Sequence, residues 1–432
     1  MQLVAYGAQD IYLTGNPQIT FFKVVYRRHT NFSVESIEQT FNGTPNFGKK
    51  ASATISRNGD LIHRVMLQIT LEQVNPASAN DHIRWCNWIG EKIIRYVEVE
   101  IGGQRIDRHY GEWLHIWSQL TMPSGHNTGY ARMAGNIPDL LSVKTGAQNP
   151  AQNISSETLF IPLQFWFCRN PGLALPLIAL QYHEVKINIE FNDLFDCLLI
   201  HDSSNAGNNT YSNTLNPKPN IQAASLWVDY IYLDSDERRR FAQLAHEYLI
   251  EQLQYPGEET ISVSSNKIKL AFNHPVKEIV WVVQKEDAIT YKQHFNYTDA
   301  LDTTLFSQDN NLGNNMAYGI AEMLQLTGNN AAITVQNEDR GKNNCSLARI
   351  VLNGQDRFAE RSGDYFNYVQ PYYHHTRTPS PGINVYSFGL KPEEHQPSGT
   401  CNFSRIDNAN LFLTVTTQTL EKNSVSLTTG KL

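Results

Sequence analysis

The sequence predicts an all-β chain of two similar β-sandwiches in tandem, and three observations carry that prediction. The first is an internal duplication. Residues 101–114 read Ile-Gly-Gly-Gln-Arg-Ile-Asp-Arg-His-Tyr-Gly-Glu-Trp-Leu, and residues 352–366 read Leu-Asn-Gly-Gln-Asp-Arg-Phe-Ala-Glu-Arg-Ser-Gly-Asp-Tyr-Phe. With Asp356 as an insertion, Gly103-Gln104 meets Gly354-Gln355, Arg105 meets Arg357, and Gly111-Glu112-Trp113-Leu114 meets Gly363-Asp364-Tyr365-Phe366. A repeated supersecondary unit decides the architecture before any single element does. The second is period-two hydrophobicity along most of the chain, the signature of strands with one buried face. The third is composition: 18% charged residues, with 20 Tyr and 19 Phe, suits sheets and polar loops better than helix bundles. At 432 residues the chain has room for two such domains.

The elements follow in order. Val65, Leu67, Ile69 and Leu71 alternate with Arg64, Met66, Gln68 and Thr70. Val97, Val99 and Ile101 alternate with Glu98 and Glu100, and Val185, Ile187, Ile189 and Phe191 with Lys186, Asn188 and Glu190. A strand-like run, Leu226 to Leu233, ends the first half. Asp234 or Ser235 then caps a helix whose first turn holds Asp236 and Glu237, and Phe241, Leu244, Ala245 and Tyr248 fall on one helical face. The domain junction is expected there, near 234–255. In the second half Ile268, Leu270 and Phe272, then Ile279, Trp281 and Val283, then Leu411, Leu413 and Val415 repeat the strand period. Turn clusters stand between the runs, at Asn42-Gly43, Asn58-Gly59-Asp60, Asn205 to Asn209, Asn216-Pro217 and Pro379 to Gly382. A further shared mark pairs Pro176, fifteen residues before Phe191, with Pro397, fifteen before Phe412.

Residue patterns argue against catalysis. None of the 14 histidines has another two to five residues away, which removes the common His-based metal grips. His374, His375 and His395 are a set that only folding could assemble. No two glycines flank a single residue, so dinucleotide loops are absent, as are phosphate loops and nucleophile elbows. No cofactor is expected. Net charge is −7, which gives no bulk attraction to nucleic acid. The five cysteines, at 86, 168, 197, 345 and 401, are too far apart for a zinc motif and read as unpaired thiols. The first residues lack a secretory pattern, and the most apolar stretch, Phe160 to Leu180, is too interrupted by Arg169, Asn170, Pro171 and Pro176 to span a bilayer. Seven Asn-x-Ser/Thr sequons stand at Asn31, Asn42, Asn153, Asn208, Asn296, Asn344 and Asn402, a number that a chain this rich in Asn, Ser and Thr reaches by chance.

Several stretches carry a resemblance. They are residues 3–32 (LVAYGAQDIYLTGNPQITFFKVVYRRHTNF), 55–62 (ISRNGDLI), 171–185 (PGLALPLIALQYHEV), 353–358 (NGQDRF) and 396–408 (QPSGTCNFSRIDN). Together they resemble the major capsid proteins of nucleocytoplasmic large DNA viruses, those of chlorella viruses and other algal viruses above all. The resemblance implies a double jelly roll, two eight-stranded jelly-roll sandwiches in tandem with a short connecting helix. It implies a homotrimer of pseudo-hexagonal outline that tiles an icosahedral virion shell assembled in the host cytoplasm. Its partners would be neighbouring capsomers and minor capsid proteins, close to an internal viral membrane that the chain does not cross. Some family members carry glycans on outward loops.

On this reading residues 1–24 form an N-terminal arm, 25–234 the first jelly roll, 235–255 a helical linker and 256–432 the second jelly roll. Lys23, Arg27 and Arg28 are the candidate contacts to other subunits or minor capsid proteins. Trp113, Trp117, Tyr372 and Tyr373 are candidate aromatic anchors. One departure stands out. After Pro176 the first half runs 57 residues to Leu233, whereas only 35 follow Pro397, so either Leu420 to Leu427 supplies the last strand, or the second sandwich is incomplete, or the chain is a shortened paralogue. A jelly-roll lectin is the alternative binding function, and a cupin-like metalloenzyme the alternative enzyme.

Overall fold

The computed structural model of the chain describes residues 7–79, 81–146, 152–202, 213–290, 292–300, 341–416 and 425–428. In the first half eight strands build two sheets. They are β1 (Phe32–Thr40), β2 (Lys50–Thr54), β3 (Leu61–Leu71), β4 (Ile94–Ile101), β5 (Gln104–Tyr110), β6 (Glu157–Pro162), β7 (Val185–Phe191) and β8 (Ile221–Leu233). One sheet runs β1-β8-β3-β6 and the other β2-β7-β4-β5, every pairing antiparallel. The inward residues that the alternation marks, Val65, Leu67, Ile69, Val97, Val99, Ile187 and Ile189 among them, meet in one core between the sheets.

The second half repeats this. Its strands are β9 (Glu258–Ile261), β10 (Ser265–Lys269), β11 (Glu278–Lys285), β12 (Cys345–Leu352), β13 (Gln355–Asp356), β14 (Ile383–Ser387), β15 (Ala409–Val415) and β16 (Val425–Thr428). They pair as β9-β16-β11-β14 and β10-β15-β12-β13. Counted within each half, the order is first, eighth, third, sixth in one sheet and second, seventh, fourth, fifth in the other. That is the jelly-roll order, and it occurs twice.

The duplicated motif is the same device in both halves. Ile101 pairs Gln104 and Leu352 pairs Gln355, so each hairpin turns on two residues, Gly102-Gly103 or Asn353-Gly354. All four have positive φ (59°, 83°, 50° and 82°), the geometry a tight hairpin requires and Asn-Gly or Gly-Gly supplies. Tyr96 then pairs Tyr110 as Leu347 pairs Ser362, and Gly111 and Gly363 each open a helical segment. Leu114 and Phe366, equivalent in the alignment, are buried in the two cores.

Three expectations need correction, and one open alternative is decided. The two prolines are not equivalent: Ile101 pairs Val185 and Leu352 pairs Ala409, and Pro176 lies nine residues before the one while Pro397 lies twelve before the other. Phe191 therefore corresponds to Val415, and Phe412 faces away from the core. The helix after Leu233, α2 (Ser235–Gln243), is capped by the Asp234 carboxylate, which accepts from Ser235 N–H at 2.8 Å, but it stops before Leu244. The ring of His246 stacks on Phe241 and its Nε2 hydrogen-bonds the Phe241 carbonyl at 3.0 Å, the group that one more helical residue would use. None of this helix is buried, so no packed face extends it.

The missing last strand is β16, which enters between β9 and β11 at Val425–Thr428; the rest of the run from Leu420 lies outside the described residues, as does the turn cluster Asn205 to Asn209. Finally, β11 buries both faces. Ile279, Trp281 and Val283 point into the second core, and Val280 and Val282 pack against the first half.

Two smaller features complete the frame. A helix α1 (Gly111–Thr121) carries the first half's side of the seam between the sandwiches. A three-stranded sheet, Leu198–Asp202 with Asp81–Trp85 with Lys144–Thr145, flanks the first sandwich.

Candidate assembly surfaces

The N-terminal arm is the most exposed apolar segment among the described residues. One helical turn, Ile11–Thr14, is held by Asp10, whose carboxylate accepts from Gly7 N–H at 2.7 Å and whose carbonyl accepts from the Thr14 hydroxyl at 2.7 Å. Beyond it Ile19, Phe21, Phe22, Val24, Val25 and Tyr26 all face outward, Phe22 at 99% exposure. A packed chain does not leave so many large apolar side chains in water unless another surface covers them. Lys23, Arg27 and Arg28 stand in this stretch, exposed and without an ion-pair partner among the described residues. The arm joins the body at Phe32, opposite Leu233, so it leaves the first sandwich at the end from which α2 departs. Those three cations thus sit on one strip together with the exposed aromatics.

The four aromatic anchors divide into pairs. Tyr372 and Tyr373 are 75% and 73% exposed on a helical turn, Gln370–His374, with Leu390, Tyr368 and Val369 also exposed. Trp113 and Trp117 are buried instead. They lie on α1, where with Ile116 and Leu120 they pack against Val280, Val282, Tyr297, Ile383 and Val385 of the second half. Arg169 lies over the Trp117 ring at 4.8 Å. The indoles fasten the two sandwiches to each other rather than waiting for a partner.

Polar groups the sequence did not single out line the same seam. The Glu91 carboxylate, wholly buried, accepts from the Tyr130 hydroxyl at 2.5 Å and lies 2.6 Å from His115 Nδ1, with the Ser118 hydroxyl at 3.3 Å. Burial and the nearby carboxylate push the Tyr130 hydroxyl well above its usual range. Phe295 of the second half stacks on the His115 ring at 4.2 Å. Burial, reinforced by Lys92, pushes His294 well below an ordinary histidine. Nothing in the spacing of 91, 115 and 130 marks this network, because three different elements bring it together. Glu251, in the segment after α2, gathers Arg169 at 3.2 Å, Lys277 and His395 at 3.4 Å.

The three histidines set aside as a metal possibility go to separate partners. His375 sits between Glu278 (Nε2, 2.8 Å) and Glu393 (Nδ1, 2.9 Å), His374 bonds the Leu390 carbonyl, and His395 meets Glu251. Among the sequons, Asn296 and Asn344 are buried and donate to Gln293 and the Ala300 carbonyl, and to the Val283 and Tyr297 carbonyls, so neither amide is open to modification in the folded chain. Asn31, Asn42, Asn153 and Asn402 are exposed, and Asn208 lies outside the described residues. No helix among the described residues is long and apolar enough to cross a membrane.

Two family models match, end to end. "Major capsid protein N-terminus" covers residues 20–234, and "Large eukaryotic DNA virus major capsid protein" covers residues 237–430. The chain is 51% identical to the major capsid protein of Pyramimonas orientalis virus, over 96% of this chain and 91% of that one. It is 47% identical to that of Phaeocystis pouchetii virus (98% and 93%) and 42% identical to that of Paramecium bursaria Chlorella virus 1 (99% and 90%). Its structure is similar to the quasi-atomic model of the PBCV-1 virus capsid, with a TM-score of 0.69 at 35% identity over 95% of this chain and 96% of that one. The Faustovirus major capsid protein shares the fold at 14% identity, with a TM-score of 0.72 over 99% and 93%. With its doubled jelly roll and these relatives along its whole length, the chain belongs to the major capsid proteins of large eukaryotic DNA viruses.

Proposed function

We propose that three copies of this chain close into a pseudo-hexagonal capsomer, and that such capsomers tile the icosahedral shell of a large DNA virus. The observation that carries the reading is the repeated strand order: each chain offers two sandwiches of one design, so a three-membered ring offers six. A closed ring makes every contact heterologous, and closure stops the same contacts from running on into filaments. Permanent contacts of this kind bury about 2,000–5,000 Å² and need apolar anchors. Tyr372 and Tyr373 have the exposure and chemistry for that role.

The arm, taken as 1–24, extends from a first jelly roll of 25–234, which the linker 235–255 joins to a second of 256–432. Its exposed apolar residues and Lys23, Arg27 and Arg28 suit contact with minor capsid proteins on the inner side of the shell, above an internal membrane that the chain does not enter. The acidic net charge argues against direct contact with the genome. Assembly belongs to the host cytoplasm and the product to the virion. The work is mechanical rather than catalytic, and the family match leaves the carbohydrate-binding alternative without support.

Sedimentation of the full chain should give a trimer at micromolar concentration; a persistent monomer rejects the capsomer. The double variant R27E/R28E should keep the trimer's mass while shell assembly drops at least tenfold. Normal assembly by that variant removes the arm's cations from the account.

A further inference from the structure

Cys86 and Cys197 meet at the end of the small flanking sheet. Trp85 pairs with Leu198 as the last step of that antiparallel ladder, and just beyond it Cys86 N–H donates at 2.8 Å to the carbonyl of Cys197, the last residue of a helical turn, Leu194–Cys197. A direct backbone hydrogen bond brings the two Cα atoms to about the 4.5–5.5 Å that neighbouring paired backbones keep. A disulfide accepts Cα separations of about 4.4–6.8 Å. Both residues are buried in the first core. Cys345, by contrast, directs its sulfur to the Leu347 carbonyl at 3.5 Å.

We propose that Cys86 and Cys197 form an oxidation site, a dithiol that converts to an intramolecular disulfide when a peroxide reaches it. In the first step one thiol gives up its proton and its thiolate attacks hydrogen peroxide; an S–O bond forms, the O–O bond breaks, and the departing hydroxide takes that proton, leaving a sulfenic acid and water. In the second step the facing thiol attacks the sulfenic sulfur, the S–S bond forms, the S–O bond breaks, and its hydroxyl takes the thiol proton and leaves as water. Two thiols and one peroxide thus become one disulfide and two waters. Oxidised sulfur and reduced peroxide balance.

Timing follows from burial. The apolar surroundings, reinforced by the Cys86 thiol, push the Cys197 thiol well above its usual range, so the closed pair reacts slowly. The pair lies where one strand ends and the other begins, so fraying of the strand ends exposes it without opening the sandwich. Once formed, the bond closes a loop that contains β4, β5, β6 and β7, four of the first sandwich's eight strands. Closing so long a loop removes much freedom from the unfolded chain, and the thermal midpoint should rise by roughly 5–10 °C. The inference does not depend on the capsid reading.

The test is peptide mapping of the full, reduced chain after exposure to hydrogen peroxide, with alkylation under denaturing conditions and no later reduction. The expected product is one pair of peptides joined through Cys86 and Cys197, with alkylation at Cys168, Cys345 and Cys401 alone, and a raised midpoint. The variants C86S and C197S should each keep all remaining thiols alkylatable after the same exposure. The mapping of the unaltered chain decides the matter even if a variant folds poorly. Five alkylated cysteines after exposure, a bond between other cysteines, sulfonic acid in place of the disulfide, or linkage only in denatured chain overturns the proposal.

Discussion

Between Glu278 and Glu393 the His375 imidazole separates two carboxylates that would otherwise repel each other, and its side chain has no exposed surface. Burial alone would push His375 down; Glu278 and then Glu393 outweigh it and hold the histidine up at about 9. Burial raises Glu393 too, but hydrogen bonds from His375 and Thr376 leave it below an ordinary carboxylate. For the histidine the folded value lies above the unfolded 6.5, so its contribution is complete below pH 6.5 and disappears as pH climbs through about 9. For Glu393 the order is reversed. Its contribution is complete above pH 4.5 and is lost on acidification through its lower folded value. The shift corresponds to about 3 kcal/mol, and the thermal midpoint should fall by roughly 5–10 °C between pH 6.5 and 9. Calorimetry across that range should show the fall in the unaltered chain and a flat, lower midpoint in H375Q. A midpoint of H375Q that tracks the unaltered chain would show that the ion triad contributes nothing. None of this was visible in the sequence, where His375 was only one of three histidines near the end; its carboxylates come from positions 278 and 393, joined by topology alone.

At the scale of elements the sequence was far more legible. The duplicated motif was readable twice because its physical requirements are local: two residues with positive φ, then a residue small enough for close backbone approach. A Cβ on Gly111 would stand 2.2 Å from the Glu91 carbonyl oxygen and 2.5 Å from that of Ile94, and one on Gly363 would stand 1.9 Å from the Cys345 carbonyl oxygen. The obstacles are backbone in both halves, so neither can step aside. G111A and G363A should each lower the thermal midpoint by roughly 5 °C or more or yield insoluble chain, whereas G125A, with nothing nearby, should change little. Tolerance of both glycine changes would mean that the two motifs are not the same device. Where the sequence misled, a longer-range partner had decided the outcome. The imidazole of His246 ended α2 early, and the fifteen-residue proline spacing matched by chance while strand pairing ran three residues out of step.

The whole molecule is held by a seam that period-two reading assigned to solvent. Alternation marks Ile279, Trp281 and Val283 as a buried face, but Val280 and Val282 between them are apolar too, and an unbroken apolar run of this kind is what a strand covered on both sides looks like. Those two valines meet Trp113 and Trp117 from α1, and so make one body of two sandwiches that each possess a core of their own. The seam therefore governs whether the halves unfold together. Trp117 is one of its two indoles, packed on the second half and covered by Arg169. Truncation to alanine leaves a cavity and costs about 3–5 kcal/mol at the seam while touching neither sandwich core. In calorimetry the unaltered chain should unfold in one transition. W117A should unfold in two, with the smaller second core giving way first. A single transition in W117A, merely shifted, would mean that the seam is not what couples the halves, and that the segment after α2, with Glu251 and its partners Arg169, Lys277 and His395, carries the coupling instead.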